Sequence, residues 1–229
     1  DYFSRLELKV EGNEVTIPTW RQDLLSYADL AEEVARFYGY DKIPTTLPSG
    51  EATAGKLSYK LSIENMIKDT AENYGFSQAM CFSFESPKVF DRLLLEEDSD
   101  YRKTVVISNP LGEDYSIMRT LPLDGMLTSL STNYNRRNKD VRLYELGNVY
   151  LPKQVPVEEL PEERMMLTLG MYGEGDFYTL KGVVEELFDN LGLECKKVKY
   201  SVDKKEPFLH PGRQANVTYK NKKLGMIGE

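Results

Sequence analysis

The spacing of apolar and polar residues predicts a small β-hairpin followed by one amphipathic helix at the start of the chain. Alternation on both sides of Gly12-Asn13 predicts the hairpin over residues 6–17. Leu30, Val34 and Phe37 recur at helical spacing and predict a helix over Tyr27–Tyr38. The prolines and glycine within residues 43–50 predict a linker and a domain boundary.

Beyond this linker the same two patterns continue for the rest of the chain. Helical intervals between apolar residues predict helices near residues 57–74, 123–134 and 180–191, with a short helix after Ser86-Pro87. Runs rich in β-formers predict strands near residues 77–84, 104–107, 141–146, 164–171, 195–202, 214–219 and 223–228. Because no strict βαβ rhythm appears, we expect an α+β fold with a largely antiparallel sheet.

Composition is that of a folded globular protein, since 41% of the 229 residues are hydrophobic and 29% are charged. The length predicts one large or two unequal domains. No stretch approaches eighteen uncharged apolar residues, which excludes a membrane-spanning helix. Cys81 and Cys195 lie far apart, which argues against a zinc site or a disulfide scaffold and favours a reducing cytoplasm.

The net charge of −8 makes most of the chain a poor surface for RNA. The last 40 residues differ, with nine basic and four acidic side chains. His210 is the single histidine, so a multi-histidine metal centre is excluded. The chain opens at Asp1 without a targeting signal and stops after the strand-like residues 224–227, so we expect a piece of a longer protein.

One group of residues has the chemistry of a metal site: Asp23, Asp29, Glu32 and Glu33. On a helical wheel the last three share one edge of the predicted helix, and Asp23 lies in the loop just before it. Magnesium prefers several oxygen ligands of this kind. The alternative is purely structural, because acidic residues stabilise a helix N-terminus and Arg36 is spaced to pair with Glu32.

The same segment resembles bacterial phenylalanyl-tRNA synthetase beta subunits almost position by position. The resemblance covers essentially the whole chain, through Arg21-Gln22-Asp23-Leu24, residues 29–44, Asn109-Pro110-Leu111, Met118-Arg119-Thr120-Leu121, and residues 138–147, 176–182 and 210–213. It implies part of a small winged-helix-like domain with an acidic helix (1–47), a linker (48–55) and a C-terminally truncated, non-catalytic module (56–229). That module is expected to be a class II synthetase-like antiparallel sheet flanked by helices.

The resemblance also implies a cofactor and partners. It implies Mg²⁺ at Asp23, Asp29, Glu32 and Glu33, in a site shared with the alpha subunit. The complete cytoplasmic ligase would contain two alpha and two beta subunits and would join phenylalanine to its tRNA with ATP. The proofreading and anticodon-binding domains of the family lie outside this segment. We therefore expect tRNA to be bound through the full complex, with little direct binding by this fragment.

The larger module is expected to contain no catalytic and no nucleotide-binding residues. Making an aminoacyl-adenylate requires cationic side chains that hold the triphosphate. The counterpart of the second class II motif is residues 143–150, and Leu151-Pro152 follow instead of an arginine. Arg119 resembles part of a synthetase core but has no partner arginines. The interface with the alpha subunit is expected to use amphipathic helices and residues 109–120.

Several other features have plainer structural interpretations. The glycine-rich residues 170–175 are expected to turn into a helix capped by Asp176, and His210 to lie in a turn before a strand. Met165, Met166 and Met171 are expected in the core. The lysines at positions 196, 197, 199, 204 and 205 could contact RNA or could simply form a solvated face or guard a sheet edge.

Two functions remain in competition at this point. The first is a fragment of a phenylalanine–tRNA ligase beta subunit that supports the alpha subunit's active site and is inactive alone. The second is a stand-alone, synthetase-related enzyme that activates a carboxylic acid with ATP or hydrolyses a phosphoester at the acidic cluster. The second would need phosphate-binding arginines beside the carboxylates, where only Arg21 and Arg36 are close in sequence.

Overall fold

A computed structural model describes residues 1–202 and 206–229. The chain forms two compact units, residues 1–55 and residues 56–229. No helix among the described residues is long and apolar enough to cross a bilayer.

The first unit is a short hairpin with two helices. Its elements are α1 (Tyr2–Arg5), β1 (Lys9–Glu11), β2 (Glu14–Thr16) and α2 (Tyr27–Tyr38), followed by a 3-10 turn (Tyr40–Lys42). The hairpin is confirmed, with Val10 opposite Val15. The predicted strand start near residue 6 is wrong, because Leu6 ends α1 and Glu7 takes a left-handed backbone with φ 60°.

Helix α2 has the bounds that its hydrophobic spacing predicts. Its N-terminus is capped because Asp29 accepts a hydrogen bond from the backbone N–H of Ser26, at 2.6 Å. It ends at Gly39, whose φ of 104° disfavours a side chain. On its inner face the ring of Phe37 stacks on Tyr2 with centroids 5.6 Å apart. Local signals therefore determine this helix.

The second unit contains four helices and eight strands among its described residues. They are α3 (Tyr59–Asn73), β3 (Ser77–Gln78), β4 (Phe84–Glu85), α4 (Val89–Arg92), β5 (Ile117–Met118), α5 (Leu123–Asn135), β6 (Val141–Leu151), β7 (Glu162–Tyr172), α6 (Phe177–Asn190), β8 (Val198–Ser201), β9 (Gln214–Tyr219) and β10 (Lys222–Gly228). This composition confirms the α+β expectation.

Antiparallel pairing dominates the sheets of this unit. Strands β6 and β7 pair over eleven residues each, with Leu146 opposite Leu167. Strand β3 adds a short parallel pair on the other side of β6. A second sheet has the order β10-β9-β8 and is antiparallel throughout, and β4 pairs with β5. The expectation of a largely antiparallel sheet is confirmed, with β3–β6 as the parallel exception.

Three apolar clusters hold the second unit together. In the first, α3 and α6 pack against the long hairpin around Tyr144, whose side chain is fully buried. The second surrounds α4 and β5. The third lies between α6 and the β10-β9-β8 sheet, around Val217 and Phe188. Each cluster removes several large apolar side chains from water, which is the main stabilising contribution to such a fold.

Some predicted elements are wrong, each because tertiary contacts override the local pattern. The single strand expected at residues 77–84 is two short strands, and β3 and β4 pair in different sheets. Residues 104–107 make only an isolated bridge between Val106 and Ile117. The strand expected from residue 195 begins at Val198, after a 3-10 turn.

The methionines expected in the core are not fully buried. Met165 is 38% exposed and Met166 is half-buried, whereas Met171 is half-buried and packs against the first apolar cluster. The buried methionine of this unit is Met126 on α5, at 2% exposure. Asp176 does cap α6, as expected, by accepting a hydrogen bond from the N–H of Thr179 at 2.9 Å.

Candidate functional site

In the first unit, Glu33 of α2 is held by two arginines. Its side chain is 8% exposed and its Oε1 accepts a hydrogen bond from Arg21 Nη2 at 2.6 Å. Its Oε2 accepts from Arg36 Nη2. These hydrogen bonds, that from Arg36 first, lower the pKa of Glu33 below its usual range. The expected pairing of Arg36 with Glu32 is wrong, because Arg36 reaches back three residues to Glu33 instead.

Asp23 and Asp29 are engaged as well. Arg21 donates to both carboxylate oxygens of Asp23, with its Nη2 2.7 Å from Oδ2, and this lowers the pKa of Asp23. Asp29 Oδ2 accepts the backbone N–H groups of Leu25 and Ser26. The hydrogen bond with the Ser26 side chain, followed by these backbone bonds, lowers the pKa of Asp29. The negative charge of Asp23 opposes this effect and raises the pKa of Asp29, so the two carboxylates lie within electrostatic range. Glu32 is exposed.

The donor chemistry of these four side chains suits magnesium, but their arrangement in this chain does not fit the ion. Among residues 1–202 and 206–229, no group of three or more His, Cys, Asp or Glu side chains is placed to hold a metal. Glu33 has both oxygens occupied by guanidinium groups, and Asp29 caps its own helix. A cation would therefore have to displace Arg21 or Arg36 before it could bind Glu33.

In the second unit, a cavity of about 700 Å³ lies beside the long hairpin, between α5, β7 and α6. Its lining is mostly apolar, with residues such as Met126, Leu130 and Leu180. Among the described residues, the one basic side chain in this lining is Arg213, whose Nε lies 2.8 Å from Glu229 Oε2. A triphosphate needs several converging cations. This cavity offers one guanidinium, and that group already has a carboxylate partner.

The connection between β6 and β7 also lacks a phosphate-binding arginine. Leu151-Pro152 follow Tyr150 at the end of β6, as the sequence indicated. The first basic residue in this connection is Lys153, whose Nζ lies 2.9 Å from Glu159 Oε2. The first basic side chain after β6 is thus already paired with a carboxylate.

Arg119, the remaining synthetase-like arginine, is a structural residue. Its side chain is 3% exposed, and its Nη1 lies 2.9 Å from Glu145 Oε1 on β6. Its Nε donates to the carbonyl of Asn148 at 2.7 Å. Gly147 makes this placement possible, because a Cβ there would lie 2.3 Å from Arg119 Nη2. Sequence reasoning missed Glu145, since a lone acidic residue in a strand carries no signal of a buried partner.

The remaining sequence candidates take the structural roles expected of them. His210 is exposed, and its Nδ1 accepts the backbone N–H of Gly212 at 3.1 Å in the turn before β9. Lys197 pairs with Glu194 at 2.5 Å on a solvated face. Lys204 and Lys205 lie outside the described residues.

Comparison with known proteins also divides the chain into two parts. Residues 43–229 match the profile described as the phenylalanyl-tRNA synthetase beta chain CLM domain, and residues 1–40 match the tRNA synthetase B5 domain. The chain is 43% identical to the phenylalanine–tRNA ligase beta subunit of Clostridium tetani and 37% identical to that of Moorella thermoacetica. Each alignment covers 100% of this chain, which spans 29% and 30% of those relatives.

Solved structures give the fold class. A pyrrolysyl-tRNA synthetase from Desulfitobacterium hafniense superposes with a TM-score of 0.53 at 17% identity, over 72% of this chain and 55% of that chain. At this identity the likeness concerns the fold alone, and it confirms the synthetase-like α+β module. Together with the profile match over residues 43–229, it leads to one conclusion: the chain belongs to the phenylalanyl-tRNA synthetase beta chain family.

Proposed function

We propose that this chain is a non-catalytic part of a phenylalanine–tRNA ligase beta subunit, and that its larger unit supports the active site of an alpha partner. The proposal rests on the ion pairs that two arginines of the second unit form. Arg119 is locked in a buried ion pair and Arg213 is paired with Glu229, so neither is available for a triphosphate. A synthetase-like fold whose Arg119 and Arg213 are both held by carboxylates can contribute an interface, but these two guanidinium groups cannot serve adenylate chemistry.

An exposed apolar patch in the second unit suits the alpha partner. We define the patch by Met80, Phe82 and Tyr115, whose exposures are 91%, 73% and 39%. The rings of Phe82 and Tyr115 contact each other edge to face, with centroids 5.9 Å apart. Exposed apolar groups of this kind mark protein interaction surfaces. One of the three residues, Tyr115, falls within the 109–120 segment proposed for the interface.

Co-expression with a phenylalanyl-tRNA synthetase alpha subunit tests this interface. The expected result is a stable larger species in size-exclusion chromatography. Phe82→Asp should weaken the complex at least tenfold, because a charge in a desolvated contact costs more than about 1.4 kcal/mol. Leu160→Asp is the matched control, since Leu160 is 89% exposed and outside the patch. Equal binding of both variants would contradict the assignment of this patch.

Catalytic activity of the chain alone has its own assay. With phenylalanine, ATP and magnesium, the isolated chain should show ATP–pyrophosphate exchange no higher than buffer. Exchange well above background would favour the alternative, a stand-alone enzyme that activates a carboxylic acid with ATP. In our proposal phenylalanine activation, ATP binding and tRNA aminoacylation belong to the complete two-alpha, two-beta assembly in the cytoplasm, with little direct tRNA binding by this fragment.

We also propose a magnesium site, formed by Asp23, Asp29, Glu32 and Glu33, that binds the ion only in the complex with the alpha partner. One feature supports it: four carboxylate side chains lie within eleven residues of the sequence. The arginines on Glu33 oppose it, so we propose that the ion binds when the alpha partner draws Arg21 or Arg36 away. Calorimetric titration should detect magnesium in the complex and not in the chain alone. Loss of that signal in Asp29→Asn plus Glu32→Gln is expected, and its persistence would place the ion elsewhere.

A further inference from the structure

A second cavity in the larger unit, of about 500 Å³, lies between β4, α4 and α5. It opens beside the apolar patch, since Met80, Phe82 and Tyr115 form part of its lining. Its polar wall includes Glu85, Arg92 and Asp124. The cavity thus joins an apolar mouth to a charged interior.

Glu85 is the unusual group of this cavity. Its side chain is 6% exposed, and its Oε1 accepts no hydrogen bond from any described residue. The backbone of Glu85 is satisfied, because its carbonyl accepts the N–H of Ser116 at 3.1 Å. Leaving a buried carboxylate without a partner costs free energy, so the position is unfavourable for the chain alone. Burial, followed by the charge of Asp124, raises the pKa of Glu85 to about 8.

The charged groups facing Glu85 are already paired among themselves. Arg92 Nη2 lies 2.7 Å from Asp124 Oδ1, and Arg119 Nη1 lies 2.9 Å from Glu145 Oε1. Asp124 and Glu145 raise the pKa of Glu85, whereas Arg119 and Arg92 lower it. Each arginine already has a carboxylate partner, and Asp114 adds a further acidic side chain to the lining. An ionised Glu85 would therefore have no cation to balance it, and a cation entering the cavity would favour the ionised form of Glu85.

We propose that this cavity receives an arginine or lysine side chain from the protein that docks on the apolar patch, with Glu85 as its counter-charge. The inference rests on the proposed function for the identity of that partner. The mouth suits such a side chain, because its aliphatic stem can pack on Met80 while the Phe82 and Tyr115 rings offer faces to the cation. A basic anchor in a desolvated pocket is a frequent centre of a protein interface.

The chemistry of the cavity can be tested on the 229-residue chain without a partner. Agmatine serves as a free arginine side chain, and N-propylurea serves as its neutral analogue. Carboxyl NMR should show the titration midpoint of Glu85 falling by at least 0.5 pH units with saturating agmatine and not moving with N-propylurea. A midpoint that agmatine leaves unchanged would overturn the proposal. A midpoint that moves with magnesium but not with agmatine would also overturn it, in favour of a metal site.

The partner half of the proposal is tested in the complex with the alpha subunit. Because the cation binds the ionised form of Glu85, affinity should rise about tenfold between pH 7 and pH 9, and Glu85→Gln should abolish that rise. Glu97→Gln, an exposed carboxylate outside the cavity, is the control and should retain it. If wild type and Glu85→Gln bind with the same pH profile, this inference fails while the proposed function stands. If wild type forms no complex, the proposed function and the named partner fail, and the agmatine titration alone decides the chemistry of the cavity.

Discussion

Arg119 and Glu145 form an ion pair in the core of the second unit, with Nη1 and Oε1 2.9 Å apart and both side chains at least 95% buried. The pair connects the segment after β5 to the middle of strand β6. Arg119 also donates to the carbonyl of Asn148, and its backbone N–H donates to Ser83. A residue that resembles catalytic machinery in sequence thus connects three segments of the fold.

Breaking this pair should destabilise the chain strongly. Arg119→Met is expected to lower the free energy of unfolding by about 3–5 kcal/mol, because it leaves Glu145 charged and buried. The double variant with Glu145→Met should lose less than the sum of the two single variants. Urea unfolding measures all three. Arg164→Met, which removes an exposed pair with Glu162, is the control and should change stability by less than about 1 kcal/mol. Equal losses for Arg164→Met and Arg119→Met would contradict the structural role.

Gly147 should be intolerant of even a methyl group. A Cβ there meets the Arg119 guanidinium, so Gly147→Ala should cost about 1–3 kcal/mol as the arginine is displaced. Gly182 in α6 is the matched control, since a Cβ at that position meets no atom within 4 Å. Gly182→Ala should stabilise the chain by about 0.5–1 kcal/mol through helix propensity. Thermal melts of the two alanine variants should therefore shift in opposite directions, and a shift in the same direction would argue against this packing.

Glu85 should make the isolated chain less stable at alkaline pH. The unfolded chain ionises this carboxyl near its ordinary value of 4.5, whereas the folded chain keeps it protonated to about pH 8. Stability is therefore lost progressively as the pH rises from about 4.5 to 8. Glu85→Gln mimics the neutral acid and should match wild type at pH 4.5 but exceed it by roughly 5 kcal/mol at pH 9. A constant difference between the two chains across this range would show that Glu85 is ionised in the fold.

Asp176, in contrast to Glu85, should make the chain less stable at acid pH. The N–H of Thr179 holds the pKa of Asp176 below its ordinary value of 3.8. The stabilisation is then fully present above that value and is lost as the pH falls through the folded pKa. Asp176→Ala should lower the melting temperature at pH 7, and its deficit should shrink towards pH 2. Asp98→Ala, which removes an exposed acid outside any helix, should show no such pH-dependent deficit.

The sequence was most informative where local chemistry decides the structure. The bounds of α2 follow from its hydrophobic spacing, its capping residue Asp29 and its terminal Gly39. The cap of α6 at Asp176 was equally clear. In each case residues within four positions of one another make the decisive contacts, so the pattern along the chain contains the information.

The predictions that depended on distant contacts were less accurate. The strand expected over residues 77–84 is split because β3 pairs with β6, whereas β4 pairs with β5. No local pattern in the sequence indicates this change of partner strand. Arg36 could reach Glu32 or Glu33 equally well by spacing, and Arg21, twelve residues before Glu33, joins the same carboxylate. The buried position of Glu85 likewise depends on α5, almost forty residues later in the chain.

The order β10-β9-β8 leaves β10 and β8 as the outer strands of their sheet among the described residues. Outer strands can recruit a second copy of the same chain by backbone hydrogen bonding. Lys222 and Lys223 lie at the start of β10, and Lys199 lies on β8. Two copies approaching along either strand would bring like charges together. The repulsion disfavours self-association along these margins.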